Sequence, residues 1–126
     1  VLTGKYIPGK KPPKDSKGGI AQAGLMASEY RRESLLIAQE LKAHAEKKGM
    51  KLSYFALNWM LNNTLVTSAL AGPRTLEHWR GYLAALNYTF DAADEALVDR
   101  LVPRGHSSSP GHTDRKYPVT GRVPQT

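Results

Sequence analysis

The sequence predicts an α/β unit that is mostly helical, with one strand and no second strand beside it. Three observations carry this reading. Several stretches repeat apolar residues at helical spacing. One short run, Leu65 to Ala71, is β-branched and small-residue in character and is bounded by Asn and by Gly-Pro. No neighbour for that run is found in the sequence, and one strand cannot form a sheet alone. The chain is therefore expected to be a piece of a larger assembly or to pair with another copy. Its first residue, Val1 rather than methionine, reads the same way.

Each element follows from local pattern. Residues 5–19 hold Lys, Pro and Gly with little that is apolar beyond Tyr6 and Ile7, and read as an exposed loop. Residues 29–48 read as a helix. Leu35, Leu36, Ala38, Leu41 and Ala45 recur on it, Glu29 and Glu33 stand near its start, Lys47 and Lys48 near its end, and Gly49 stops it. A second helix, 53–62, is apolar on nearly every side and is expected to be buried, with Ser53 as its N-cap. The run 65–71 follows as a strand buried on both faces. A third helix, 75–86, carries Leu76, Trp79, Leu83 and Leu86 as its apolar stripe. A fourth, 92–101, starts after Asp91 as N-cap, with Asp94, Glu95 and Asp99 expected on a solvated face. Residues 102–126 are too polar for a core of their own and read as an extended or disordered tail.

With 126 residues the chain supports one modest core; it is 40% hydrophobic and 23% charged, an ordinary balance for a soluble protein. It has no cysteine, which excludes disulfides and thiolate metal sites and suits a cytoplasmic location. No apolar run approaches the roughly 20 residues needed to cross a bilayer, so no membrane partner is expected. The net charge of +7 is spread over a loop, a helix end and the tail, with no nucleic-acid reading motif, so no nucleic-acid partner is expected either. His44 reads as a surface or satisfied polar residue. His106 and His112 lack a carboxylate or cysteine at metal spacing, and no metal site is expected.

The stretch that carries chemistry is Leu65 to Thr75. It is read as strand, glycine turn and helix start. A helix start presents backbone N–H groups and the positive end of the dipole. Gly72 lets a ligand approach the backbone, and the guanidinium fork of Arg74 matches a phosphate through paired hydrogen bonds. These residues point to a phosphate or other dianion site.

Three segments also resemble the aldo-keto reductases. They are Val1-Leu2-Thr3-Gly4-Lys5-Tyr6, Phe55-Ala56-Leu57-Asn58-Trp59-Met60-Leu61 and Ala71-Gly72-Pro73-Arg74-Thr75-Leu76-Glu77, in the family's order over residues 1–101. The likeness is nearest the branch of the potassium-channel β-subunits and their bacterial homologues. It implies the C-terminal part of a (β/α)8 TIM barrel, with 66–70 as the eighth strand. It also implies the 2′-phosphate and adenine side of an NADPH/NADP+ site in an oxidoreductase that reduces aldehydes or ketones. Arg74 would hold the 2′-phosphate beside Gly72, and Thr3, Gly4 and Lys5 would lie over the pyrophosphate. The sequence departs from the family pattern at His78, where a Gln is usual, and at Tyr82, where an Asn faces the adenine; His78 can still donate to phosphate and Tyr82 can stack. Glu77 is expected to point outward. The family's catalytic Tyr, Lys, Asp and His lie upstream of the matched segments, so this chain holds no catalytic residue and is not expected to reduce aldehydes by itself. The expected partners are the missing N-terminal part of the barrel or a second copy. The alternative reading is a truncated, non-catalytic helical oligomer or interaction module.

Overall fold

The computed structural model describes residues 1–109, 111 and 116–122. His112 and Arg115 lie outside the described residues. Among the described residues there are five helices: α1 (Ala23–Ser28), α2 (Arg32–Lys47), α3 (Leu52–Leu61), α4 (Leu76–Ala85) and α5 (Ala92–Leu101). α3 packs on α2 and on α4, and α5 packs on α2.

The core forms where the apolar stripes of α2, α3 and α5 meet. Leu35, Ala38, Leu41 and Ala45 are buried along one face of α2, at the spacing that the sequence displays. Phe55 of α3 sits at the centre, with the Phe90 ring 5.2 Å away and the His44 ring edge-on at 5.9 Å. Burying a side chain of that size contributes about 1.5–3 kcal/mol. Asn58 joins α3 to α4, its amide donating to the Ala85 carbonyl at 2.8 Å and to the Tyr54 carbonyl at 3.0 Å.

The helix ends follow local rules in most places. Gly49 has φ +74°, the left-handed stop that a side chain resists. Asp91 caps α5 in a reciprocal capping box with Asp94. The Thr75 hydroxyl caps α4 by accepting from the His78 amide at 3.2 Å. Two ends differ from expectation. The N-cap of α3 is Lys51, two residues before the expected Ser53, because the Lys51 carbonyl takes both the Tyr54 and Phe55 amides as Leu52 is drawn into the core. α2 starts at Arg32 because Glu29 and Tyr30 close α1, both donating to the Leu25 carbonyl.

Three larger expectations are corrected. The run 65–71 has no β-partner. Among the described residues the only bridge is an isolated one between Asn63 and Arg122, and Leu65 and Leu70 are 65% and 103% exposed. A strand requires neighbours to satisfy its backbone and cover its faces, and the described residues supply none. The stripe of α4 is likewise outward: Leu76, Trp79, Leu83 and Leu86 are exposed. α4 meets α3 through its small residues, with Ala85 buried and Gly81 facing the Tyr54 ring. The loop 5–19 is not exposed throughout. Tyr6, Ser16 and Gly18 are buried, the Tyr6 ring packs edge-on against Tyr30 at 5.4 Å, and Gln39 of α2 donates to the Tyr6 carbonyl at 2.9 Å.

Beyond α5 the described tail residues return to the body. The Ser109 hydroxyl donates to the Ser28 carbonyl at 3.1 Å, and Arg31 donates to the Ser108 carbonyl at 2.8 Å.

Candidate functional site

The turn before α4 brings Gly72 and Arg74 to one wall of an open cleft of about 580 Å3. His78 and Tyr82, one and two turns into α4, extend that wall, since residues four apart share a helix face. Thr3 and Lys5 line the same cleft. The structure thus gathers Thr3, Lys5, Gly72, Arg74, His78 and Tyr82 around a single space. Gly4 is not among the lining residues. Its φ is +77°, and a side chain there would meet the stem of Lys42 at 3.1 Å.

The loop adds groups that the sequence did not single out. Tyr6, Asp15, Ser16 and Lys17 also line the cleft, as does Glu29. Lys5, Lys17 and Arg74 supply positive charge against the carboxylates of Asp15 and Glu29. Burial alone would push the Tyr6 phenol up. Hydrogen bonds from Ser16 and Gly18, with Lys5 and Lys17 nearby, outweigh burial and hold its pKa below the usual value. The Gly18 amide reaches the phenol oxygen at 3.2 Å, so this hydroxyl closes the loop. A lone tyrosine in a polar loop was the available signal for this anchor. Glu77 is not among the residues lining this cleft. It borders an adjacent one, of about 530 Å3, with Lys51 and Arg80.

A second group of charges lies at the packing of α2 on α5. Asp94 is fully buried, where a solvated face was expected. His44 Nε2 lies 2.6 Å from Oδ1 of Asp94, Lys48 Nζ lies 2.5 Å from Oδ2, and the Asp91 amide donates to Oδ2 at 2.9 Å. Glu95 is buried as well, against Arg122. Burial pushes the Lys48 ammonium down, but its bonds to Asp91 and Asp94 outweigh that and hold it above its usual value. The bond from Lys48, with the helix-start amides behind it, holds Asp91 below the usual carboxylate range. These charges tie two helices together and are apart from the cleft. Asp91 and Asp94 stand at capping-box spacing, the one sequence signal that Asp94 turns back toward the backbone.

Among the described residues no group of three His, Asp or Glu side chains is placed to hold a metal ion, and no helix is long and apolar enough to cross a membrane.

The sequence model of the aldo/keto reductase family matches residues 1–103. Two curated proteins, the L-glyceraldehyde 3-phosphate reductases of Escherichia coli O157:H7 and of Escherichia coli strain K12, are each 33% identical over 112 residues. The matched region covers 83% of this chain and 31% of each relative, so the chain spans about a third of the length of these relatives.

Proposed function

The chain belongs to the aldo/keto reductase family, and from that premise we propose that it supplies the 2′-phosphate and adenine side of an NADP(H) site in an oxidoreductase acting on aldehydes or ketones. The convergence of Arg74 and Gly72 with Thr3 and Lys5 on one cleft is the observation that carries this reading.

The residues present suit such a cofactor. Arg74 offers a planar fork for a phosphate dianion, and the start of α4 places its dipole beside it. Lys5 and Lys17 add point charges for the pyrophosphate, and Gly72 keeps the backbone clear of side-chain bulk. Tyr82 presents a ring for the adenine, with His78 between it and Arg74. When bound, the cofactor supplies a hydride to a carbonyl carbon. This chain's own residues would hold and orient its nucleotide half. Residues 66–70 would form the eighth strand of a (β/α)8 barrel once neighbouring strands lie beside them. The relatives are named for a glyceraldehyde phosphate; for this chain the proposal is the broader class of aldehydes and ketones.

The test compares 2′,5′-ADP with 5′-AMP by calorimetry, on the protein and on its Arg74→Ala variant. A charge-assisted bidentate pair predicts tighter binding of 2′,5′-ADP by about tenfold to a hundredfold, a preference that Arg74→Ala abolishes. Equal affinity for the two nucleotides in the unsubstituted protein would remove the reading.

A second reading, a self-associating helical module, draws on a different observation: Leu70, Leu76, Leu83 and Leu86 all stand exposed.

A further inference from the structure

The nucleotide reading makes no use of Arg122, yet its guanidinium is among the best-held groups in the molecule. The side chain is 7% exposed and its Glu95 partner 6%. Arg122 forks onto both oxygens of that carboxylate, Nε at 2.7 Å from Oε1 and Nη2 onto Oε2. Nη1 donates to the Trp59 carbonyl, and the plane lies over the Trp59 ring at 4.6 Å. Paired N–H donors on one carboxylate fix direction as well as distance. Removing either partner would leave the other charge enclosed without compensation.

The residues just before Arg122 close on the end of α3. The Gly121 carbonyl accepts from the Thr64 amide at 2.9 Å and from the Thr64 hydroxyl at 2.8 Å. Gly121 has φ +98°, and a Cβ there would fall 2.4 Å from Oδ1 of Asn63 and 2.6 Å from Cγ of Leu65. Only glycine fits so close an approach. Further back, the Val119 amide donates to the Gly105 carbonyl at 2.9 Å. The stretch 118–122 is thus held at Gly105, at Asn63–Leu65 and in the Glu95–Trp59 socket. Asn63–Leu65 is where the chain leaves α3 to begin the segment that ends in Arg74.

We propose that residues 118–122 are a strap, latched by Arg122 onto Glu95 and Trp59, that fixes the departure of the 65–75 segment and so makes Arg122 a positioning residue for Arg74. The strap itself is independent of the nucleotide reading; its consequence for binding at Arg74 rests on that reading.

The experiment uses Arg122→Gln and, separately, Gly121→Ala, which disturbs the contact and leaves the ion pair in place. Hydrogen exchange is followed in peptides covering 63–75 and 34–45. The Val102-Pro103-Arg104-Gly105 sequence, which resembles a thrombin site, gives a second readout, since Gly105 is held by Val119. Both variants are expected to raise exchange at the bonded Thr64, Leu65 and Val66 amides in 63–75 by about tenfold and to speed thrombin cleavage after Arg104, with the α2 peptide 34–45 unchanged as proof that the helices remain folded. Where Arg122→Gln loosens 34–45 as well, Gly121→Ala decides. Unchanged exchange in 63–75 in the variant that keeps α2 intact would overturn the strap. Affinity for 2′,5′-ADP is measured in parallel and is expected to fall in both variants. Full affinity with 63–75 loosened would overturn the positioning role. Equal binding of 2′,5′-ADP and 5′-AMP by the unsubstituted protein would remove the nucleotide reading, and exchange would still judge the strap.

Discussion

Asp94 has no exposed side-chain surface, and its neighbours decide whether a charge can live there. His44 and Lys48 reach it from α2 while the helix-start amide of Asp91 reaches it from behind. A carboxylate in that position accepts at both oxygens. Asp94→Asn keeps the volume but turns an NH2 group toward a donor and removes the charge that Lys48 answers. The expected loss is about 2–3 kcal/mol in urea unfolding, because a buried charge-assisted set is broken on one side only. A loss within error of zero would show that water reaches the site. Arg74 is a contrast at the same scale. It is exposed and borders the cleft.

At the scale of elements, Gly49 separates two kinds of glycine. Its φ is +74°, but a Cβ there would meet nothing within 4 Å. Gly49→Ala is therefore expected to cost only the left-handed backbone, about 1–2 kcal/mol by thermal or urea unfolding, with α2 otherwise intact. A cost near zero would mean that the turn after α2 can rearrange. Such stops and caps were legible in the sequence because they are local. Gly49 and Asp91 each act within a few residues of themselves, whereas the sequence pattern makes Thr75 the first residue of its helix rather than its cap. The direction of the α4 stripe was not legible. Periodicity shows that a helix has faces; it does not show which face finds a partner within the same chain. Gly81 and Ala85, the small residues, turned out to make that contact. The sequence puts Asp94 and Glu95 on a solvated face, and it misses their burial for a related reason. Acidic residues in a first turn look alike whether they face water or a histidine 50 positions earlier and an arginine 27 positions later.

Taken whole, the molecule is covered unevenly. The core residues of α2, α3 and α5 around Phe55 are buried, whereas the apolar stripe of α4 is open. An apolar side of that kind favours association. The chain is expected to sediment above its 13.9 kDa monomer mass at high concentration, and Leu83→Glu combined with Leu86→Lys should shift it toward monomer. A chain that stays monomeric throughout would remove self-association from consideration. The candidate site was legible at this scale only in part. Gly72, Arg74, His78 and Tyr82 are consecutive enough to be read from the sequence, whereas Asp15, Ser16 and Lys17 join them through a loop path that no local rule dictates.

The latch at Arg122 also bears on the order in which this chain is made. Thr64 leaves the ribosome 57 residues ahead of Gly121, its partner in the strap. Until Arg122 emerges, the Glu95 carboxylate and the Trp59 ring remain open to water, and the turn after α3 is unfastened. Closure follows the making of α3 and α5, carried out by an arginine that reaches Glu95 and Trp59 only after both are in place.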